Sequence, residues 1–332
     1  MNCPQLKQRL KQNPISVHDF MNHVLYHPNE GYYANSPVLG PLGDYVTSPQ
    51  MTQAFGEVMA AWFVHQWQQQ GQKTPIHLIE LGPGLGTLMK DMLRVFRQFP
   101  LFINSLHIHL VEHSHFFLEK QREAINHHVF WYKTLDTVPE IIHGFSILLA
   151  HEFFDALPIE QYVIVSDEKI QRHIQLTHDE KLHFTPQDGP IYETCPLYKP
   201  IMAEIEKKLA PTQGSALIID YGDFTPPPRL GDTLQAIHKH KKVHPLTHVG
   251  LADLTHHVDF YTLQSLVSKT VRRTLINQGQ FLKNIGFLER TQYLCNKADP
   301  FTAKDLTLAA ARLTSSAEMG ALFKVLILEF VN

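Results

Sequence analysis

From Pro75 onward the chain alternates short apolar runs with helix-patterned segments, and no other feature constrains its fold as strongly. Ile76 to Leu81 reads as a strand, Gly82 to Gly86 as a glycine turn, Thr87 to Phe99 as a helix and Leu106 to Glu112 as a second strand. Ser114 is placed to cap a helix to about Ile125, Val129 to Tyr132 is a short strand, and Phe145 to Ala150 is apolar except for Ser146. Buried strands alternating with helices predict an α/β, Rossmann-like fold, a mostly parallel sheet with helices on both faces. Residues 159–185 break this rhythm. Tyr162 to Val165, Ile170 to Leu176 and Lys181 to Phe184 read as inserted antiparallel strands, with turns at Asp167 and Asp179. The sheet pattern resumes at Ser215 to Asp220 and ends in a strand over Leu322 to Phe330, with a polar loop from Tyr221 to Pro245 and helices near 264–313 between them.

The first 72 residues read as a helical cap. Ser16, with Asp19 three residues on, caps a helix to about Tyr26, and a loop rich in Gly, Pro and Tyr runs from Pro28 to Ser48. Ser48 followed by Pro49 predicts a helix start, and Phe55, Val58, Met59, Trp62 and Phe63 then recur at helical spacing.

The Glu80-Leu81-Gly82-Pro83-Gly84-Leu85-Gly86-Thr87 turn follows a strand and opens a helix, where glycines admit a sharp turn and close approach of a ligand. A nicotinamide fingerprint wants GxGxxG, and here the third glycine comes one residue early; a phosphate-cradling Walker loop wants a Lys that is missing. An acid two residues before the first glycine, with Glu112 ending the next strand, suits S-adenosylmethionine instead. Glu80 matches the cationic end of that cofactor and Glu112 the ribose diol, and Asp136 is placed for the adenine side.

Phe145 to Ala150 leads into His151-Glu152-Phe153-Phe154-Asp155-Ala156-Leu157-Pro158. The C-terminal ends of central strands face the ligand crevice, so Glu152 and Asp155 are expected to project there as catalytic acids, with His151, Phe153 and Phe154 walling a substrate pocket. Methyl transfer needs an in-line nucleophile held close and shielded from water. Two carboxylates suit a planar guanidinium better than a neutral hydroxyl.

With these blocks in place the chain resembles the MidA-like methyltransferases, relatives of a mitochondrial complex I assembly factor that is a protein arginine methyltransferase. The resemblance also runs through Glu30-Gly31-Tyr32-Tyr33, Gly43-Asp44-Tyr45-Val46-Thr47-Ser48-Pro49, Phe55-Gly56-Glu57, Ile219-Asp220-Tyr221-Gly222, Asp253-Leu254-Thr255 with Val258-Asp259-Phe260, Gln278 to Leu282, and Met319-Gly320 with Phe323-Lys324. It implies a class I methyltransferase core, S-adenosylmethionine as donor, and arginine on a respiratory-complex subunit as acceptor. It further implies that the loop from Gly43 to Ser48 closes over the cofactor, adding Thr47 and Ser48 to the cofactor contacts and Tyr45 to the substrate pocket. His151, Gln50 and Leu85 stand where the family carries Asn, an acid and a basic residue. The implied division is 1–72 as helical and loop cap, 73–158 as cofactor-binding half, 159–212 as inserted strands and helix, and 213–332 as the remainder of the core with a helical substrate-side insertion. A non-catalytic binding factor of the same fold and a small-molecule N- or O-methyltransferase are the competing readings.

The 332 residues hold 29 basic against 32 acidic side chains, a net charge of −3, so no bulk field recruits nucleic acid or an acidic membrane. The longest apolar run, Leu322 to Val331, is short and interrupted by Lys324 and Glu329, so no membrane insertion is expected. Cys3, Cys195 and Cys295 form no CxxC, and no apolar stretch follows Lys7, Arg9 and Lys11; a reduced cytoplasmic setting is the expectation. The 22 histidines include His107 with His109, His113 with His115, His238 with His240 and His256 with His257. A zinc site needs further ligands and outer partners that these pairs do not supply, so no metal is expected.

Overall fold

The computed structural model describes residues 3–35, 47–227 and 229–331. Its centre is a sheet whose strands we number β1 (Ile76–Leu81), β2 (Leu106–Val111), β3 (Val129–Tyr132), β4 (Phe145–His151), β5 (Ser215–Asp223), β6 (Arg272–Asn277) and β7 (Phe323–Glu329). Their spatial order is β6-β7-β5-β4-β1-β2-β3. The five strands from β5 to β3 run parallel, while β7 is antiparallel to both β5 and β6. Successive side chains of β1 point to opposite faces, so Leu78 enters one apolar layer and Ile79 and Leu81 the other. Both faces are covered, which explains why the central strands are near-continuous apolar runs.

Local chemistry accounts for most boundaries. Ser16 Oγ accepts the Asp19 N–H at 3.0 Å and caps the helix Val17–Tyr26. Ser114 does the same for Phe117 at the head of His115–Ala124. The start expected at Ser48 is one residue earlier. Thr47 is the N-cap of a single turn, Ser48–Met51, and Thr52 then adopts extended backbone and caps a separate helix, Gln53–Gln69. Gln50 completes the capping box by accepting the Thr47 N–H at 3.3 Å, as an acid at that position would.

Four further expectations are corrected. The helix from Thr87 ends at Phe96, and Pro100–Asn104 forms its own turn. The strand expected over Ile170 to Leu176 is broken at Arg172, which is buried and donates to Gln161 and Asp232; Glu168–Gln171 and His173–Leu176 join different sheets. The polar loop after Tyr221 contains the hairpin Gln235–His238 and Lys241–Val243, which pairs onward with Asp253–Thr255. β6 lies within the region read as helical because it is a half-exposed edge strand whose arginines interrupt the apolar signal.

The inserted strands do not bury a core of their own. His173–Leu176 pairs with Ile15–Ser16, and Ile174 and Phe184 pack with Leu6, Phe20, Val24, Ala236 and Leu254. Segments from three parts of the chain thus make one lobe beside the sheet.

Candidate active site

At the C-terminal ends of the parallel strands lies a cavity of about 1030 Å³. β1 has β2 on one side and β4 on the other, so the chain leaves β1 in one direction and later returns on the opposite side. Loops diverge at such a switch point and leave a crevice. Glu80 and Leu81 sit there opposite Leu149 and Ala150, and the cavity opens directly above them.

The glycine turn lines one wall. Gly82 has φ +61° and Gly84 φ +52°, left-handed values that side chains adopt at a cost. A Cβ on Gly82 would stand 3.0 Å from the Phe153 ring. Gly86, expected beside the ligand, does not line the cavity; it lets the turn pack on Gln121 and Ile125 at the end of the helix His115–Ala124. Leu85 lines the cavity and packs against the N-terminal lobe.

Glu80 is buried, and its Oε2 has no hydrogen-bond partner. Burial, reinforced by nearby Glu112, raises its pKa to about 8. Glu112 accepts the Ser114 N–H at 2.7 Å and the Gln121 amide at 3.1 Å, contacts that favour the ionised form; burial outweighs them and raises it to about 7. Asp136 lies on an exposed 3-10 turn at the rim. These residues fit S-adenosylmethionine: an orphaned buried carboxylate, a second acid on the neighbouring strand and a cradle without side chains.

The second wall is the turn after β4. Glu152 has φ +51°, a left-handed conformation that costs a non-glycine residue about 1–3 kcal/mol. Its N–H is held by the Ile219 carbonyl at 2.9 Å. Burial, with Asp155 and Asp253 alongside, raises Glu152 to about 8 despite a hydrogen bond from the Ser48 N–H. His151 Nε2 is 3.3 Å from Glu152 Oε1 without hydrogen-bond geometry, and both atoms are buried. Burial lowers His151 to about 3, so a neutral imidazole faces a protonated Glu152 at neutral pH. Phe55 packs edge-on against the His151 ring.

Asp155 is buried and raised to about 7 by that burial, against hydrogen bonds from the Tyr221 hydroxyl and backbone amides. Phe153 lines the cavity, but Phe154 does not. Its ring is fully buried and packs edge-on against Tyr198, so the expectation that Phe154 walls the pocket is corrected: the turn points one phenylalanine to each side. Thr47 lines the cavity, whereas Ser48 is fully buried behind it. Tyr45, and with it the part from Gly43 to Val46 of the Gly43–Ser48 loop expected to close over the cofactor, lies outside the described residues.

Sequence reasoning missed Tyr26, Tyr33, Tyr221, Asp253 and Thr255, all on the cavity wall. They come from segments far apart in sequence, and the Glu30–Tyr33, Ile219–Gly222 and Asp253–Thr255 blocks signalled all but Tyr26 without giving them a role. Among the histidines, His109 Nε2 is 3.1 Å from His77 Nδ1 and buried against the sheet. The described residues bring together one group of three metal-type ligands, His23, His27 and Glu30. There Glu30 accepts the Gln5 and Leu6 N–H groups, capping the helix Pro4–Gln12, and pairs with His23 at 2.8 Å.

Fold and site together define an S-adenosylmethionine-dependent methyltransferase. The chain belongs to the family described as "Putative S-adenosyl-L-methionine-dependent methyltransferase", which it matches over residues 58–277. It is 34% identical to protein arginine methyltransferase NDUFAF7, mitochondrial, of Rattus norvegicus, over 93% of this chain and 80% of that protein. Identity to the Homo sapiens counterpart is 33%, over 93% and 79%. A crystal structure from Burkholderia thailandensis bound to S-adenosyl-homocysteine superposes with a TM-score of 0.83 at 22% identity, covering 98% of this chain and 91% of that one. The relatives' mitochondrial designation overturns the cytoplasmic expectation. Unpaired thiols report a reducing environment, not which compartment provides it. Among the described residues no helix is long and apolar enough to cross a membrane.

Proposed function

We propose that this methyltransferase acts on an arginine side chain of a protein, with a respiratory-complex subunit as the kind of substrate. The observation that carries the acceptor class is the turn after β4, where Glu152 is held in a strained left-handed conformation with a buried, unpartnered Oε1 beside Asp155. Buried carboxylates with raised pKa values are waiting for positive charge. A guanidinium supplies it, and its planar donors match carboxylate oxygens in pairs. The relatives named as protein arginine methyltransferases support the same class.

In this reading Glu80 takes the ammonium end of the donor, Glu112 the ribose hydroxyls and Asp136 the adenine side, while Gly82 and Gly84 let the backbone approach. Thr47 and Ser48 support the wall that meets Glu152. Gly86 and Phe154 act only through packing. Bound S-adenosylmethionine supplies an electrophilic methyl group on its sulfonium. The guanidinium's charge ionises Glu152 as the substrate binds; Glu152 and Asp155 then orient it so that a nitrogen lone pair faces the donor, and the ionised Glu152 receives the proton that the nitrogen sheds. His151 and Phe153 keep that corner free of water, which strengthens each charge contact.

Mass spectrometry of proteins from cells with and without this chain tests the assignment. A methylarginine lost with the chain and restored by it is expected; methylation confined to small metabolites, or no binding of S-adenosylmethionine by calorimetry, would remove the reading.

A further inference from the structure

We infer that Asp253 and Thr255, on the strand Asp253–Thr255 and steadied by Tyr33, form a second arm of the acceptor pocket that works with Glu152 to bind the ω-nitrogens of a guanidinium. The inference rests on the arginine reading above and names residues to which that reading gives no role.

Asp253 and Thr255 are two residues apart on one strand, so their side chains share a face, and both line the cavity. Both are buried, Asp253 at 6% and Thr255 at 3% exposure. Asp253 accepts the Tyr33 hydroxyl at 3.0 Å, and this buried carboxylate lines the cavity. Burial, with Asp253 next, raises Tyr33 well above the ordinary phenol value, so that hydroxyl stays a donor. The hydroxyl oxygen of Thr255 is buried and has no hydrogen-bond partner. An unsatisfied buried hydroxyl on a cavity wall is expensive unless a ligand completes it.

The strand is also fixed to the acid turn. The N–H of His256, the next residue, donates to the Asp155 carbonyl at 3.0 Å, and Val258–Asp259 pairs in parallel with Gly222 and Asp223 of β5. Asp253 is close enough to Glu152 to oppose its ionisation. Neutral acceptors cannot answer two facing carboxylates and an empty hydroxyl together. A guanidinium, with five donors and one charge, can.

The test uses full-length protein saturated with S-adenosyl-homocysteine and two blocked tripeptides, Gly-Arg-Gly and its neutral isostere with citrulline in place of arginine. Binding is measured by calorimetry. The wild type should prefer the arginine peptide by about tenfold or more, Asp253→Asn should abolish the preference, and Thr255→Val should reduce it about threefold. Affinity for S-adenosyl-homocysteine should stay unchanged in both variants. Should Asp253→Asn not fold, Thr255→Val decides by itself. Undiminished preference in the variants overturns the inference and leaves the arginine reading standing. A wild type that binds S-adenosyl-homocysteine but shows no preference overturns both, and a variant whose affinity for S-adenosyl-homocysteine falls instead would place this arm on the donor side.

Discussion

Asp220 Oδ2 accepts the backbone N–H of Asp155 at 3.2 Å, and through that contact strand β5 sets the shape of the acid turn that follows β4. The same oxygen accepts the Phe154 N–H at 3.0 Å, and Oδ1 accepts the Tyr221 N–H at 2.9 Å. Asp220 is fully buried and lies behind the cavity wall. Replacing it with Ala strands three buried amides, so unfolding stability should fall by about 3 kcal/mol or more. Asp220→Asn, which keeps an acceptor, should fold and bind S-adenosyl-homocysteine normally while losing turnover, because one amide now faces a donor. Denaturation and calorimetry on the two variants check this; full activity in Asp220→Asn would show that the turn is held by other means.

Glu152 carries both chemistry and strain, and two substitutions separate them. Glu152→Gln should retain cofactor binding and lose turnover by about a hundredfold or more, since a neutral amide can neither pair with a guanidinium nor accept its proton. Glu152→Gly should be equally inactive yet more stable by about 1 kcal/mol, because glycine accepts φ +51° without penalty. Thermal melting and single-turnover assays report the two effects. A Glu152→Gly protein that melts lower than wild type would refute the strain.

Donor binding should release protons. Glu80 and Glu112 are raised to about 8 and about 7 by burial, and a cationic ligand end returns Glu80 to its ionised form. Calorimetry in buffers of different ionisation enthalpy should show net proton release at pH 7, with affinity for S-adenosylmethionine rising from pH 6 to about 8. Proton uptake would contradict the placement of Glu80.

The free protein should lose stability over the same interval. Glu80, Glu112, Glu152 and Asp155 all have folded pKa values above their unfolded ones. The folded state therefore binds more protons than the unfolded state between about pH 4 and 8, so stability falls as pH rises through that window. His151, lowered to about 3, acts oppositely, adding stability as pH rises from there toward about 6.5. Urea denaturation at pH 6 and 8 should give the lower midpoint at pH 8, with the gap narrowing when S-adenosylmethionine is present; equal midpoints would refute the shifts.

Glu57 is the hinge of a structural network. Its carboxylate is buried and takes Arg94 at 3.1 Å and Arg290 at 2.7 Å, joining helices separated by more than half the chain. Both arginines are partly exposed and can rehydrate, so Glu57→Ala should cost about 1–3 kcal/mol. Removing both arginines instead isolates a buried charge and should cost about 3–5 kcal/mol. Denaturation of the two variants ranks them, and the reverse order would refute this account.

Much of the core and of the donor wall was legible in the sequence. Ile76–Leu81 is a strand because both of its faces are covered, and a run of apolar residues says so directly. Glu80, the glycine turn and Glu112 lie within one strand-turn-helix-strand unit, where chain order dictates neighbourhood. Gly86 and Phe154 were misplaced for a shared reason: sequence locates a turn but not which way each residue of it faces. β6 escaped notice because an edge strand needs only one apolar face, and Arg272 and Arg273 mask it.

The second arm of the acceptor wall was not legible. The sequence by itself determined the parallel sheet, the glycine cradle and the two acids after β4, because local periodicity and loop chemistry specify them. Only the tertiary structure decided that Tyr33 and Asp253, 220 residues apart in the chain, meet over Glu152. Their contact is a product of how three distant segments share one apolar lobe, and burial in that lobe is what turns ordinary carboxylates into groups that await a cation.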